Sequence, residues 1–377
     1  MSLTKRYSLL LLMLACFQSL FFVPIFFAPS GIAENSMTHS MRMLFGGSPF
    51  VLHYQTIGLL PIVLGSLSVT LLPMVDGRIG QSLLNKYKDP LVYVFGFFMA
   101  LGVVHRADIG WDSWRAYAVL LELLSSIQII IMIIKFTEKL EITSSPVVVF
   151  FAWNVITGAA LSAYSLFSTA HDELWLLAIF SLFLMIFTLY ACHHFLTAKR
   201  DITIAYIAPD RGFQVSDKIR MKAAQVSILP VVLVMMGLGS ISVYLFDAAK
   251  GVSVLHHPVY FCIFLIALWF TVRAFTLKKI NVDRISSHIE STGGRVISGI
   301  KVQMNTYKAT RKWAHARVWE QWFVLSTLMI MADLTNIWFA NAGLPPVTFV
   351  AGVGGWILVN AFLDMRKQYD KLVYIYL

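Results

Sequence analysis

The residues with the clearest capacity for chemistry are acidic side chains inside long apolar segments. Asp333 lies near the centre of the apolar run 322–340, and Asn336 follows about one helical turn later. Glu122 lies inside a second apolar run, 116–136. A carboxylate at membrane depth costs about 2.5–3.5 kcal/mol on insertion scales, so it normally faces a partner or a wet cavity. Glu122 and Asp333 are therefore the leading candidates for a functional site.

The neighbours of Glu122 extend this polar character along one helix face. Ser125 and Ser126 follow Glu122 by three and four positions, and Gln128 lies one position off that stripe. Such a face serves either as contact between helices or as the wall of a cavity. If the Glu122 carboxyl is buried among apolar groups, it stays protonated near neutral pH and can act as a proton donor.

Asp112 is a further acidic candidate, just before the segment that holds Glu122. Trp111 and Trp114 flank it. Tryptophans and acids at the end of an apolar segment are typical of the membrane interface. The alternative is that Asp112 lines the mouth of a cavity opening on the non-cytoplasmic side.

Several classes of site are excluded by missing motifs. The three cysteines have no CxxC spacing, and the histidines lack the HxxxH and HxxHH spacings of di-iron enzymes. The chain has no GxxxxGK[ST] loop for nucleotide phosphates and no aspartate-rich DDxxD run for a magnesium-bound diphosphate. We therefore expect neither a metal nor a cofactor.

The composition is that of a membrane protein. Of the 377 residues, 58% are hydrophobic and 13% charged, and the mean hydropathy is +0.72. Soluble domains have about 45–50% apolar and about 25% charged residues. The net charge of +10 comes from Lys and Arg lying between apolar blocks, which indicates orientation in a bilayer. We expect no nucleic-acid partner.

Apolar segments of spanning length predict about ten transmembrane helices. They lie at 7–28, 54–74, 90–104, 116–136, 146–168, 174–196, 226–246, 258–277, 322–340 and 346–364. The third is short and begins at Pro90, so a tilted or partial span is an alternative there. In the second, Gly58, Pro61 and Gly65 favour a kink and close helix contact rather than chemistry.

Lys and Arg collect in alternate loops, which predicts that both termini are cytoplasmic. The expected fold is all-α, a single helical membrane domain over 1–377. The protein should be an integral multi-pass membrane protein, in an endomembrane such as the endoplasmic reticulum if the source is eukaryotic.

Two cytoplasmic loops are long, 197–225 and 278–321. In the second, Val296, Ile300 and Met304 recur at helical spacing among basic residues. This pattern predicts a basic amphipathic helix on an anionic membrane surface. A docking site for a cytosolic partner is the alternative.

In size, span number and the segment NIWFANAGLPPVTFVAGVGGW at 336–356, the chain resembles the integral membrane terpene cyclases of fungal meroterpenoid pathways. The resemblance implies a metal-independent enzyme that cyclises a lipid-like polyprenyl substrate after protonation. Glu122 or Asp333 would supply the proton, Asn336 would orient the acid, and a second carboxylate would take the terminal proton. Aromatic faces would stabilise the cationic intermediates.

A proton- or cation-coupled secondary transporter, a channel or a chemoreceptor is the alternative class. In a transporter, Glu122 and Asp333 would form an ion site between helices. Ten spans with cytoplasmic termini suit two five-helix halves, but the two acids do not occupy corresponding positions in those halves. The enzyme is the preferred interpretation, with membrane lipids around it and no identified protein partner.

Overall fold

The computed structural model describes helices over most of the chain and one small sheet. The described residues are 3–26, 54, 57–75, 81–106, 110–169, 175–208, 212–222, 234, 258–298, 301–302, 305–341 and 353–376. The helices are α1 (Leu3–Ser19), α2 (Leu60–Val75), α3 (Gln81–Arg106), α4 (Trp114–Glu138), α5 (Pro146–Thr169), α6 (Trp175–Thr197), α7 (Pro258–Ile280), α8 (Val282–Ser291), α9 (Thr306–Asn341) and α10 (Val353–Tyr376). The strands are β1 (Lys199–Ala208), β2 (Gly212–Lys222), β3 (Gly294–Ser298) and β4 (Lys301–Val302).

Most predicted spans coincide with these helices. Within the described residues, three helical stretches are long and apolar enough to cross a membrane: Tyr87–His105, Trp114–Glu138 and Phe261–Ser291. The span predicted at 90–104 belongs to α3, whose 26 residues continue through Pro90, so it is not a short helix. The span predicted at 226–246 lies outside the described residues, apart from one position.

The chain forms two compact units, a division that the sequence patterns did not indicate. Unit 1 contains α1 to α5 and α10 from Ile357 onward. Unit 2 contains α6 from Leu176, the four strands, α7 to α9, and the start of α10 up to Trp356.

Small residues bring the helices of unit 1 together. A Cβ atom at Gly65 of α2 would lie 2.5 Å from Val92 Cγ2 of α3. A Cβ atom at Gly96 of α3 would lie 2.6 Å from Ile127 Cδ1 of α4. Both distances are below van der Waals contact, so only glycine fits without movement of its neighbour. The prediction of close packing at Gly65 is confirmed.

Polar contacts join distant parts of unit 1 at one end of its helices. Arg6 Nη1 donates to Glu141 Oε2 at 3.0 Å. The carboxylate of Asp364 accepts from Thr143 Oγ1 at 2.7 Å and from the backbone N–H of Ser144 at 2.8 Å. These bonds connect the middle of α10 to the loop that precedes α5.

Unit 2 contains a four-stranded antiparallel sheet in the order β2-β1-β3-β4. The all-α expectation is therefore incomplete. The strands come from the two long loops predicted at 197–225 and 278–321. Each loop has short alternations of apolar and polar residues, which suit a half-buried strand.

The loop 278–321 differs from the single amphipathic helix expected there. It contains α8, then β3 and β4, then the start of α9. Val296, expected on a helix, lies in β3, because Gly293 adopts a φ of +73° and ends the helical run before it. Ile300 and Met304 lie outside the described residues. That this loop contacts a membrane surface stays a prediction.

Candidate functional site

The four residues predicted from sequence fall in two different units. Glu122 lies in α4, and Asp112 lies in the turn before that helix, both in unit 1. Asp333 and Asn336 lie in the second half of α9, in unit 2. The side chains of Asp333 and Asn336 are outside the part of the chain that the structure describes.

Most polar side chains around Glu122 form hydrogen bonds within their own helix or to a neighbouring helix. Glu122 is half-buried, and its buried Oε2 has no hydrogen-bond partner among the described residues. Ser125 and Ser126 each donate to a carbonyl oxygen of their own helix, at 2.8 and 2.6 Å. Tyr93 of α3 donates to Gln128 Oε1. The Tyr93 bond favours helix contact over a cavity wall for Gln128, whereas the bonds of the two serines stay within α4.

Asp112 is exposed to solvent. Beside it, Trp111 and Trp114 are also exposed, and the Trp111 ring packs edge-on against Tyr117 with centroids 6.3 Å apart. Exposed tryptophan and tyrosine next to a solvated acid fit the membrane interface.

A group of residues missed as a site forms what we call the basic sheet module, comprising β1 to β4, α8, Asn305 and α9 up to residue 321. Its core consists of four side chains that are at most 4% exposed: Ile202, Ile204, Ile289 and Val296. Trp313 of α9 packs against this cluster. The two long loops therefore pack together as one folded body.

Alternation along β2 separates this core from a charged face. Lys218, Arg220 and Lys222 are exposed, whereas Ile219 and Met221 are partly buried and pack against the core cluster. Successive side chains of a strand point to opposite faces. One face of β2 is consequently basic over its last five residues.

An ion-paired carboxylate connects β1 to α9. Glu320 Oε1 accepts from Arg200 Nε at 3.1 Å and from Arg200 Nη2 at 2.5 Å. Arg317 donates to the other oxygen of Glu320, and its guanidinium lies 5.6 Å from the centroid of the Trp313 ring. The hydrogen bond to Glu320, and then its charge, raise the pKa of Arg200. Charge-assisted bonds of this kind are about twice as strong as neutral ones, so Glu320 fixes the hairpin on the helix.

The exposed surface of the module carries more basic than acidic side chains. The exposed basic residues are Lys199, Arg200, Lys218, Arg220, Lys222, Arg284, Lys308, Arg311 and Lys312. The exposed acidic residues are Asp201, Asp217, Asp283 and Glu290. A surface with this excess of positive charge attracts anionic partners and speeds their association.

Comparison with known proteins gives a family and a fold. The SecY family model matches residues 55–366. A solved protein-conducting channel shares the fold with a TM-score of 0.67 at 14% identity, covering 96% of this chain and 91% of that chain. Canine Sec61 in a ribosome-channel complex from the endoplasmic reticulum gives 0.64 at 15%, covering 96% and 91%. The yeast Ssh1 complex bound to the 80S ribosome gives 0.54 at 11%, covering 93% and 87%. No curated protein sequence matches the chain.

These findings overturn the functions expected from the sequence. The terpene cyclase resemblance is wrong, as are secondary transport and a lipid-like small molecule as the partner. The segment 336–356 misled because an apolar run rich in glycine and aromatic residues is common to many membrane proteins. Localisation as an integral multi-pass membrane protein is confirmed. With its family model covering most of its length, the chain belongs to the SecY family.

Proposed function

We propose that this protein forms a channel that conducts polypeptides across or into a membrane. The observation that carries the proposal is the match of the SecY family model over residues 55–366. A fold shared with a protein-conducting channel over nearly all of both chains supports it. The substrate would be an unfolded polypeptide carrying an apolar signal, not a small molecule.

We further propose ten spans with both termini cytoplasmic. Three contacts in unit 1 support this assignment of loops to sides, because each joins segments that charge alternation places on the same side, and the excess of Lys and Arg identifies that side as cytoplasmic. Arg6 near the N-terminus pairs with Glu141, and Lys135 at the end of α4 pairs with Asp89 of α3 at 2.5 Å. Asp364 of α10 binds the same loop, residues 139–145, that Glu141 belongs to.

The basic sheet module is the part of this channel that we expect to dock a partner. The partner proposed is a ribosome, as in the canine Sec61 and yeast Ssh1 complexes. Ribosomal RNA presents a dense array of phosphates, which Lys and Arg bind by counterion release. A ribosomal partner would revise the expectation of no nucleic-acid partner.

We also propose that Glu122 and Asp112 in unit 1, and Asp333 and Asn336 in unit 2, influence conduction, each within its own unit. The support is the cost of an intramembrane carboxylate and the unpaired Oε2 of Glu122. On this proposal, Glu122→Gln and Asp333→Asn should alter the rate of conduction while the protein still inserts.

The test is a translocation assay with purified protein in phospholipid vesicles. A secretory precursor bearing a photoreactive side chain should cross-link to this protein, and its mature part should become resistant to added protease. The control precursor carries two arginines in the apolar core of its signal and should do neither. Absence of both results with folded, inserted protein would contradict channel function.

A further inference from the structure

The exposed face of α7 runs from apolar residues to an arginine. Val259, Ile263, Ile266 and Phe270 are between 45% and 70% exposed, and their spacing puts them on one side of the helix. Arg273 continues that stripe three residues after Phe270. In an integral membrane protein, exposed apolar side chains face acyl chains, and an arginine at the end of such a stripe lies at headgroup depth.

A face of α9 changes character in the same way. Phe323 is 66% and Trp319 is 54% exposed. His315 and Lys312, which belong to the basic sheet module, follow at helical spacing towards the start of α9, and Lys312 is exposed. This helix therefore also passes from an exposed aromatic surface to basic groups.

The two faces meet in a cluster of aromatic rings. The Trp269 ring contacts both helices: the Arg273 guanidinium carbon of α7 is 5.1 Å from the Trp269 centroid, and the Trp319 centroid of α9 is 5.7 Å away. Trp322 packs edge-on against Trp319 at 5.4 Å. Its indole N–H donates to Leu265 O of α7 at 3.0 Å, which fixes α9 against α7. The cluster is thus held by both helices.

Positive charge in the cluster has no acidic counterpart. Burial, followed by the charges of Arg273 and Arg311, lowers the pKa of His315. Among the described residues, no carboxylate pairs with Arg273 or His315. Glu320, the acid closest along α9, is already bound by two arginines of the basic sheet module. The Arg273 guanidinium without an acidic partner, on the same side as an imidazole that can donate a hydrogen bond, favours binding of an anion.

We propose that Arg273 and His315, together with Trp269 and Trp319, bind the phosphate headgroup of an anionic phospholipid. The acyl chains would lie along the exposed apolar stripes of α7 and α9, which end at this cluster. The lipid is a bound structural component, not a substrate. A soluble phosphate ion shares the headgroup chemistry, but the adjoining exposed Phe270 and Trp319 favour a ligand with an apolar part.

The test is native mass spectrometry of the full-length protein in detergent, titrated with phosphatidylglycerol or with phosphatidylcholine of the same acyl chains. Phosphatidylglycerol should bind about tenfold more tightly, and Arg273→Gln should weaken its binding by about tenfold, as expected for loss of one charge-assisted bond. Arg284→Gln removes an equal charge from the exposed surface of α8 and should leave binding unchanged. Equal binding by the Arg273 and Arg284 variants would overturn the proposal.

Two further measurements distinguish a folding defect from loss of lipid binding, and a bound lipid from a free anion. Arg273→Lys keeps the charge and should bind phosphatidylglycerol more tightly than Arg273→Gln, so a general folding defect of the site would weaken both variants equally and overturn the assignment. Inorganic phosphate at millimolar concentration should not displace the lipid. Displacement at that concentration would identify the ligand as a free anion and contradict the lipid proposal.

Discussion

Asp364 shows how one side chain can hold a helix start in unit 1. Its carboxylate accepts bonds from Thr143 Oγ1, from the Ser144 backbone N–H and from Ser144 Oγ, the last at 2.6 Å. The loop that supplies these donors leads directly into α5 at Pro146. A negative charge near a helix N-terminus also interacts favourably with the helix dipole.

We expect Asp364→Ala to destabilise the protein by about 1–3 kcal/mol, because it leaves several donors without an acceptor. Thermal unfolding in detergent would measure this. Asp370→Ala removes an exposed carboxylate from the same helix and should have little effect. If Thr143→Ala and Asp364→Ala were fully additive in the double variant, the bond between them would contribute nothing.

Glu122 could be identified from the sequence, whereas the importance of Asp364 could not. An acid within a span is visible in the sequence, and the structure places Glu122 in a helix, half-buried, as its apolar surroundings indicated. The bond between Ser144 and Asp364 joins residues 220 positions apart. No local pattern encodes a contact of that separation, so Asp364 was not predicted to matter.

At the scale of elements, α2 and α3 are in close contact at a glycine. A Cβ atom at Gly65 would approach Val92 Cγ2 at 2.5 Å, the Val92 backbone nitrogen at 3.2 Å and the Lys88 carbonyl oxygen at 3.3 Å. Two of these neighbours are backbone atoms, which cannot rotate away. An alanine would have to push the helices apart.

We therefore expect Gly65→Ala to lower stability by about 1–3 kcal/mol, the range for overpacking, although alanine favours a helix by about 1 kcal/mol over glycine. Gly102→Ala is the matched control, because a Cβ at Gly102 of α3 meets nothing within 4 Å. That control should be neutral or slightly stabilising in the same thermal unfolding measurement. Equal effects of the two substitutions would contradict close contact at Gly65.

Sequence periodicity identified the helices better than the strands. Long apolar runs have few alternative structures in a membrane, because each backbone polar group must be bonded internally. In the loops, short windows fit a period of 2 and a period of 3.6 equally well. Val296 was accordingly placed on a helix, and the alternation from Lys218 to Lys222 was overlooked. Pairing of β1 with β3 depends on residues about ninety positions apart, which neither window contains.

At the scale of the whole molecule, the sequence composition predicts a membrane protein but does not predict its function. Composition alone established a multi-pass membrane protein, because burial in lipid demands apolar length in every span. The family could not be derived in this way, since a conduit for polypeptides needs no catalytic motif. The intramembrane acids were conspicuous, and that drew the interpretation toward chemistry at Glu122 and Asp333.

Variants of the basic sheet module can test whether ribosome docking depends on the charge of the module or on the position of its hairpin. Lys218→Glu with Arg220→Glu reverses two exposed charges on β2 without touching the core beneath. Ribosome binding to vesicles containing the protein should weaken by more than tenfold at low salt, with a shallower dependence on salt concentration. Arg366→Glu with Lys371→Glu, on the exposed surface of α10, makes the same charge change elsewhere and should have little effect.

Glu320→Gln supplies the positional arm, since it makes the module more positive while weakening the link from Arg200 to α9. If net charge alone controls docking, this variant should bind ribosomes at least as well as the wild type. Because the hairpin must be held in place for its charges to act together, we expect weaker binding and faster amide exchange in β1. Binding equal to the wild type in both the Glu320 variant and the β2 charge reversal would show that the ribosome docks elsewhere.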